Sequence, residues 1–506
     1  MKKYFEDDLF ILDLANNHFG DVKHAVAVVK AMAKVTKAND VNAAIKLQLR
    51  NLDTFVHDSM RDSDHRYVRR FLDTSLSIDD FKRITDAIRK EGLTVMATPF
   101  DESSIDNFED LGIEILKIAS ASANDIPLLA AAADTKYPIV ASSGGLTQFE
   151  VDELYSKLLE SGNEFALMHC VSIYPSPSET LQMLQIKNFK NRYVGTPIGW
   201  STHEDPDDPF PVVIAKTLGA SLFERHVGVN SDKYQLNNYS STPEQLERWI
   251  TAYRRSAEML GSEVRLPSTE AEVDSLKSLR RGYFITQDLE EGSDLSDGYE
   301  SAFPVVDADQ LTTADQIPSE IVVSTAVKAG SPMLRETLLL TGEAGDSRQL
   351  KKIVFEVRAT LARAGVHLNR EASIELSHHY GIDRFREFGA TLITVLNRDY
   401  AKKLVVMLPR QKHPTHRHMK KEETFQLLWG DLDLTINGKK HTMQPGQVLT
   451  VERGSWHKFQ SNYGAVVEEI STHAFSADSD YEDESINNNS SRKTELHTWT
   501  NWIPAV

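Results

Sequence analysis

The sequence predicts an α/β fold, a (β/α)8 barrel over residues 1–262, followed by a β-rich second half. Eight short apolar runs recur along this first segment, and most of the gaps between them show helical periodicity. Continuous apolar runs are typical of parallel strands buried on both faces, and eight β-then-α units are the signature of this barrel. The runs are Phe10–Ala15, Ala43–Leu49, Leu93–Thr98, Ile113–Ala119, Pro138–Ser143, Phe165–Cys170, Pro197–Ser201 and Ala220–His226.

Polar side chains cluster where these runs end. Barrels of this class place their active sites at the carboxyl ends of the strands, so the clustering predicts one site built from eight loops. The residues concerned are Asp13, Asn16, His18, Lys46, Gln48, Thr98, Lys117, Ser120, Ser142, Ser143, His169, Ser201, His203, Glu224 and His226.

Composition excludes several other classes. The formal net charge of −18 argues against binding to nucleic acid or to an anionic membrane, because both need basic patches. The single cysteine, Cys170, excludes an intramolecular disulfide, and its apolar strand favours a packing role. No apolar stretch is long enough to cross a bilayer and no signal peptide is recognisable, so we expect a cytoplasmic protein.

The remaining elements follow in order. Residues 51–75 are predicted to form a long loop over the barrel mouth, and the last barrel helix is expected over Thr242–Leu260 after a Ser-Thr-Pro start signal. Short β-prone runs between turns predict a small β-rich domain over 275–341, and a sandwich or jelly-roll barrel over 350–475. Residues 476–506 are acidic and polar and are expected to form a flexible surface tail, with Trp499 and Trp502 as its only candidates for packing.

Several stretches in order along the first two domains resemble the sialic acid synthase family. They are ANNHFGD, AIKLQL, TPFDESSIDNFEDLGIEILKIAS, YPIVASSGG, ALMHCVSIYPSP, IGWSTHE and LGASLFERHVGV. The resemblance covers roughly residues 5–340, and the second domain matches the antifreeze-like (SAF) domain of that family. It implies a homodimer in which this small domain reaches the neighbouring subunit.

The resemblance also implies a reaction. A carbon of phosphoenolpyruvate (PEP) attacks the open-chain aldehyde of an amino sugar, a divalent metal, usually manganese, activates that aldehyde, and phosphate leaves after water attacks. Lys46 and Lys117 would neutralise PEP, His203 and His226 match the family's metal ligands, and Asp13 stands where the family usually has Glu. The expected substrate-binding residues are Gln48, Thr98, Ser120, Ser142, His169, Ser172, Tyr174 and Ser201.

Three departures from the family pattern concern the sugar half of the site. Ala121-Ser122 replaces the usual Gly-Glu after KIAS, which removes a carboxylate expected to transfer protons; Glu224 or Asp125 is the candidate substitute. Residues 233–236 replace a Gly-Pro-Asp stretch after His226, and no arginine lies near Phe303-Pro304. A different amino sugar or aldose is therefore expected. The alternative is a regulatory protein that binds sugar or PEP without turnover.

A second metal site is predicted from PTHRHMKKEETFQLLWG and GQVLTVERGSWHKFQ. His416 and His418 share one strand face, and Glu423 and His457 complete a set of ligands for Mn, Fe, Zn or Ni. Glu422 is the alternative carboxylate, but the spacing to Gly430 favours Glu423. The pattern resembles the cupin metal motif, and with Lys421 it is similar to isomerase cupins of the D-lyxose isomerase type. An isomerase and a silent sugar-binding module both fit these residues.

Overall fold

The computed structural model describes residues 3–262, 266–295, 297–315, 317, 320–341, 346–368, 372–473, 478–489 and 491–496. The chain divides into two compact units, Met1–Leu266 and Pro267–Val506. None of the helices in the described ranges has both the length and the apolar character needed to cross a membrane.

Eight parallel strands form a closed barrel in the first unit, which confirms the predicted fold. Each strand pairs with the next, and the last pairs with the first, so that Asp13 has Lys46 on one side and His226 on the other. The strands are β1 Leu9–Asp13, β2 Ala43–Leu49, β3 Thr94–Pro99, β4 Ile115–Ile118, β5 Ile139–Ser142, β6 Phe165–Cys170, β7 Ile198–Thr202 and β8 Leu222–His226.

Helices surround this barrel. They are α1 Val22–Ala38, α2 Leu52–Phe55, α3 Arg66–Asp73, α4 Ile78–Lys90, α5 Phe108–Leu111, α6 Ile126–Ala133, α7 Gln148–Ser161, α8 Leu184–Arg192, α9 Phe210–Thr217 and α10 Pro243–Leu260. The predicted loop over residues 51–75 therefore carries two short helices, α2 and α3. The last helix begins where its start signal predicts, because Thr242 caps α10 through a capping box with Gln245.

Apolar side chains fill the amino-terminal half of the barrel interior. Leu9, Ile11, Ala44, Met96 and Ile115 are buried there with side chains from the other strands. A second and larger core lies between the strands and the helices. Because the lower interior is apolar and packed, the polar residues of the strands meet only at the carboxyl ends.

The first part of the second unit is small and rich in short strands, as predicted. It contains α11 Glu270–Ser278 and two antiparallel pairs, β9 Gly282–Ile285 with β10 Tyr299–Ala302 and β11 Glu320–Val323 with β12 Leu338–Thr341. Ile285, Leu295 and Val323 lie in its own apolar core. Its assignment as a SAF domain, and the homodimer that this implies, stay predictions.

Two antiparallel sheets form the rest of the second unit, in agreement with the predicted cupin barrel. Their strands are β13 Ser373–Ser377, β14 Ala390–Asn397, β15 Tyr400–Met407, β16 Lys412–His418, β17 Glu423–Gly430, β18 Leu432–Ile436, β19 Lys439–Met443, β20 Val448–Val451, β21 His457–Gln460, β22 Ala465–Thr472, β23 Ser479–Tyr481 and β24 Lys493–Leu496. A helix that the strand pattern did not predict, α12 Asp346–Arg363, packs Ile353, Val357 and Leu361 against this domain's core.

The segment assigned to a flexible tail differs from that expectation. β23 pairs with β16, β24 pairs with β13, and a short helix, α13 Glu484–Asn487, lies between them. Composition suggested a tail because the sequence of β24, KTEL, has little apolar character. The strand forms because its backbone hydrogen bonds to β13 offset this weak apolar character. Trp499 and Trp502 lie outside the described residues.

Candidate active site and metal centre

A cavity of about 380 Å³ opens at the carboxyl ends of the barrel strands. It brings together twelve of the fourteen barrel residues that the sequence predicted as catalytic, substrate-binding or metal-binding. These are Asp13, Lys46, Gln48, Lys117, Ser120, Ser142, Ser172, Tyr174, Ser201, His203, Glu224 and His226. The two others, Thr98 and His169, do not line this cavity. Of the remaining strand-end residues, Asn16 lines it and His18 and Ser143 do not.

A continuous series of side-chain contacts, here named the cavity chain, joins residues from five of these strand ends. Arg50 Nη2 donates to Gln48 Oε1 (3.0 Å), and Gln48 Nε2 donates to Asp13 Oδ2 (3.2 Å). Lys46 Nζ contacts both Asp13 Oδ2 (3.0 Å) and Glu224 Oε1 (2.7 Å). Lys117 Nζ contacts Glu224 Oε2 (3.0 Å) and donates to Ser142 Oγ (2.7 Å). Because Gln48 accepts from a cation and donates to an anion, the orientation of its amide is fixed.

The charges in this chain stabilise one another. Burial alone would raise the pKa of the Glu224 carboxyl, but the ammonium groups of Lys117 and Lys46 lower it well below its usual range. Burial would likewise lower the pKa of Lys46, and the carboxylates of Asp13 and Glu224 raise it instead. Two ammonium groups thus face two carboxylates, and their formal charges cancel.

His203 and His226 lie side by side at the ends of β7 and β8, with ring centroids 5.2 Å apart. The Nδ1 of His203 donates to the carbonyl of Val171 (2.8 Å), which leaves its Nε2 as an acceptor. The buried Nδ1 of His226 has no hydrogen-bond partner and lies 3.5 Å from Asp13 Oδ2. Burial lowers the pKa of His226 to about 4, so its imidazole is neutral near pH 7. Two adjacent imidazoles, one of them with a free nitrogen beside a carboxylate, fit a divalent metal.

The structure does not bring His169 to the cavity. Its Nε2 lies 2.9 Å from the carbonyl of Leu181, and its ring packs against Phe189 and Trp200. Successive residues of a strand face opposite sides, so the neighbouring Cys170 takes the inward position. The substrate-binding role proposed for His169 is corrected to a structural one between strand and helix layers.

Thr98 is also absent from the cavity lining. Its side chain is fully buried, and its hydroxyl has no hydrogen-bond partner among the described residues. In the register, Thr98 lies opposite Gln48, which does line the cavity. The hydroxyl therefore remains a buried, unpaired donor close to the site.

Several cavity residues escaped the sequence analysis. Arg50, Tyr67, Arg70, Phe71, Phe100 and Tyr239 all line it. Cys170, for which the sequence predicted a packing role, lines the cavity as well. Arg50 follows β2 directly and could have been found from strand-end position alone. Arg70 and Phe71 come from α3, a short helix within an insertion, where no periodicity indicates the direction of a side chain.

The departures from the family pattern have structural counterparts. Ser122 is buried and does not line the cavity, and Asp125 caps α6 by accepting from the Leu128 backbone, so neither lies at the reaction space. In residues 233–236, Tyr234 stacks on Phe19, with ring centroids 4.7 Å apart, and donates to Asp21. This segment packs against the β1–α1 loop instead of lining the cavity.

The second predicted site is assembled in the cupin domain. The candidate ligand atoms of His416, His418, Glu423 and His457 all lie within 4.8 Å of one another, and all four residues are buried. His416 and His457 are direct cross-strand partners in β16 and β21. Glu423 begins β17, whereas Glu422 is exposed, in agreement with the choice of Glu423 from the spacing to Gly430.

Backbone carbonyls orient the three imidazoles. The Nδ1 atoms of His416, His418 and His457 lie 3.1, 3.2 and 3.1 Å from the carbonyls of Pro414, Asp478 and Ser455. A carbonyl only accepts, so each Nδ1 carries the proton and each Nε2 has a free lone pair. Two of these nitrogens, on His418 and His457, lie 3.4 and 3.1 Å from Glu423 oxygens. Three imidazole nitrogens and one carboxylate fit a divalent metal.

Gly430 ends β17 because no other residue fits there. Its φ is +87°, and a Cβ at this position would lie 1.9 Å from the carbonyl oxygen of Gly464. The backbone of β22 thus passes directly beside Gly430, and this close approach fixes the strand that carries Glu423.

A cavity of about 780 Å³ lies beside the histidine cluster and is lined by His416, His418 and Glu423. Lys421 lies in it, buried, in contact with Glu423 and 3.0 Å from Glu469 Oε1. Burial would lower the pKa of Lys421, but the carboxylates of Glu469 and Glu423 raise it. The last strand supplies one wall of the cavity through Lys493 and Glu495. This cavity is large enough for a monosaccharide beside a metal.

Comparisons with known proteins agree with both halves of this description. The NeuB family matches residues 32–265, and the cupin domain family matches residues 403–471. A crystal structure from Chromobacterium violaceum, provisionally assigned as spore coat polysaccharide biosynthesis protein E, is 40% identical, with a TM-score of 0.60, and the match covers 66% of this chain and 99% of that one.

Two curated relatives have lower sequence identity. N,N'-diacetyllegionaminic acid synthase from Legionella pneumophila is 26% identical over 56% of this chain and 82% of its own length. N-acetylneuraminate-9-phosphate synthase from Drosophila melanogaster is 28% identical over 49% of this chain and 67% of its own length. Fold and cavity together define a (β/α)8 barrel protein with an appended cupin. The chain belongs to the NeuB family.

Proposed function

We propose that the barrel condenses PEP with the open-chain aldehyde of an amino sugar or aldose. One water is consumed, and the products are inorganic phosphate and a 2-keto-3-deoxy sugar acid that is three carbons longer than the sugar. NeuB family membership supports this reaction, as do relatives named for the synthesis of legionaminic and neuraminic acids. The observation that carries it is the presence of the cavity chain and the His203–His226 pair in one cavity.

Each group in the cavity has a part in this proposal. Lys46 and Lys117 bind the anionic groups of PEP, and the hydroxyls of Ser120, Ser142 and Ser201 donate to its oxygens. His203 and His226 would hold a divalent metal, for which manganese is our expectation, and a metal there would supply Lewis-acid activation of the aldehyde. Asp13, beside His226, accepts hydrogen bonds from a sugar hydroxyl or from water.

Glu224 fits a positioning role better than proton transfer. A general acid or base works best when its pKa lies near the working pH, and the two lysines hold this carboxyl far below that range. Its two oxygens instead fix the ammonium groups of Lys46 and Lys117 at 2.7 and 3.0 Å. The lysines are thereby held in place before PEP arrives.

The test is phosphate release from PEP with manganese across a panel of N-acetylated hexosamines, 6-deoxy amino sugars and plain aldoses. Mass spectrometry of the product identifies an acid three carbons longer than the sugar. We expect release with one group of sugars and its loss in His226→Ala. The matched control is His57→Ala, because His57 is an exposed histidine of the barrel unit outside the cavity lining.

The same experiment tests the alternative interpretation, a regulatory protein that binds sugar or PEP without turnover. Saturable binding of PEP with no phosphate release from any sugar would contradict the synthase proposal and favour a regulatory binding protein. Equal loss of activity in His226→Ala and His57→Ala would contradict the proposed metal ligands and leave the reaction in place.

A second proposal concerns the cupin domain, as a metal-dependent sugar isomerase or a sugar-binding module. The buried Lys421–Glu469 contact next to Glu423 favours catalysis, because it places an ammonium group and a carboxylate beside the metal ligands. Incubation of the protein with a panel of aldoses and a divalent metal, followed by chromatography, tests for ketose formation. Sugar binding without conversion would support the binding module.

A further inference from the structure

His203 and His226 lie just beyond the last paired residues of their two strands. The pairing of β7 with β8 ends at Thr202 and Arg225, one residue before both imidazoles. His226 is paired on its other side with Asp13 of β1, whereas His203 is bonded, through its carbonyl oxygen and its Nδ1, to the loop that follows β6. The two histidines are thus held by opposite neighbours, and the ladder between β7 and β8 does not join them directly.

A buried ion pair spans the gap between these two strand ends. Arg225 Nη2 donates to Glu204 Oε1 at 2.9 Å, and the two side chains are only 1% and 2% exposed. Arg225 directly precedes His226, and Glu204 directly follows His203. Arg225 faces the opposite side of β8 from His226, because side chains alternate along a strand. Neither partner lines the cavity, so the pair lies behind the imidazoles and not between them and the substrates.

The guanidinium group of Arg225 is fixed on several sides. Besides its contact with the carboxylate, it donates to the backbone carbonyls of Asp205 and Pro206 at 3.4 and 3.3 Å, so it bonds three consecutive residues of the loop after β7. Its carbon lies 5.0 Å from the ring centroid of Trp249, a buried residue of α10. Asp205 and Asp208 add electrostatic attraction. The planar fork of an arginine bonds several acceptors in fixed directions, unlike the ammonium group of a lysine.

Stability alone does not explain an ion pair at this place. Moving two charges out of water costs free energy, and well-packed apolar residues often replace such a pair with no loss of stability. The second carboxylate oxygen of Glu204, Oε2, is buried without a hydrogen-bond partner among the described residues, which adds to the cost. What the pair does supply is a contact of defined length between the residues next to the two imidazoles.

We infer that Glu204 and Arg225 are positioning residues, which set the separation of the His203 and His226 imidazoles and thereby the affinity of the barrel for a divalent metal. This inference rests on the proposed function, in which the two histidines hold the metal. Partners behind metal ligands typically contribute about 10–100-fold to metal affinity. The two lysines of the cavity chain are held by other contacts, so PEP binding should not depend on the pair.

The test is a calorimetric titration with manganese, without substrates, in a Glu423→Gln parent whose cupin site is weakened. The manganese site that disappears in His226→Ala is the barrel site. The Glu204→Leu, Arg225→Met double variant replaces the pair without leaving an unpaired buried charge. It should bind manganese at the barrel site at least about tenfold more weakly than the parent. Its thermal midpoint should stay close to that of the parent, and its affinity for PEP, measured without metal, should be unchanged.

A conservative variant and a control accompany the double variant. Arg225→Lys keeps a positive charge opposite Glu204 but lacks the forked donors, so its manganese affinity should lie between those of the parent and the double variant. The matched control is Asp207→Asn, Arg248→Gln, which removes an exposed ion pair between the same loop and α10. This control should bind manganese like the parent.

Manganese binding that weakens only in the variants of the buried pair supports the inference, even if no sugar is condensed. An unchanged affinity in the double variant, or an equal loss in the control, would overturn the inference and leave the metal ligands in place. Should the double variant not fold, Arg225→Lys decides, and an affinity equal to that of the parent would overturn the inference. If His226→Ala removes no manganese site, the proposed metal ligands and this inference are both wrong.

Discussion

At the scale of single residues, the choice between Glu422 and Glu423 is the sharpest test of the cupin site. Glu423 is buried beside two imidazole nitrogens, whereas Glu422, the residue before it in the chain, is exposed. Glu423→Gln should weaken divalent metal binding by more than about 100-fold, because even outer partners of metal ligands contribute about 10–100-fold. Glu422→Gln should bind metal like the unaltered protein. Equal affinity of the two variants, measured by calorimetry, would exclude this cluster.

Gly430 gives a second residue-scale prediction, for stability. Gly438→Ala should cost about 1–2 kcal/mol, since its φ of +81° is left-handed but open space surrounds it. Gly430→Ala adds a clash with the Gly464 carbonyl, so it should cost about 1–3 kcal/mol more. Guanidinium denaturation of both variants gives the difference. Similar unfolding midpoints would show that β22 can move aside.

Strand-end position and motif spacing predicted most residues that line the barrel cavity and all four residues of the buried cupin cluster. Lys46, Lys117, His203 and His226 could be found because all parallel strands of a barrel end at one rim. The prediction that His169 binds substrate was wrong because it ignored the alternation of side chains along a strand. This alternation gives the inward position to Cys170. Arg70 could not be predicted, because its helix α3 lies in an insertion whose packing direction depends on tertiary contacts.

At the scale of elements, β24 decides whether the end of the described chain is a tail or part of the domain. A chain ending at residue 489 lacks β24 and exposes the edge of β13 over Ile374–Ser377. We expect a lower thermal midpoint and aggregation through this unpaired edge. A chain ending at Leu496 keeps the strand and is the comparison. Equal thermal midpoints of the two truncated chains would restore the interpretation as a flexible tail.

Element prediction worked where apolar patterns are strong. The runs Ala43–Leu49 and Phe165–Cys170 coincide with β2 and β6, because barrel strands are buried on both faces. β24 was missed because an edge strand buries little, and its sequence KTEL resembles a polar linker. Helix α12 was missed because its apolar residues were assigned to the strand pattern that follows it.

At the scale of the whole molecule, each candidate site is built within one compact unit. The barrel cavity takes its lining from residues 13–239 and the cupin cavity from residues 373–496. Substitutions in separate sites should therefore act independently. Glu423→Gln should leave phosphate release from PEP within about twofold of the unaltered rate, since the two cavities share no lining residue. A loss of condensation in this variant would show that the cupin metal acts on the barrel.

The pairing of β24 with β13 also sets an order of events during synthesis. The barrel closes when β8 pairs with β1, and β8 ends at His226, whereas the cupin sheet needs a strand that ends at Leu496. At about 5–20 residues per second, the ribosome takes on the order of ten seconds or more to make the intervening chain. A nascent chain can thus complete its first cavity while the second still lacks a wall. A premature stop in this interval would remove the cupin domain with its candidate metal site and spare the barrel.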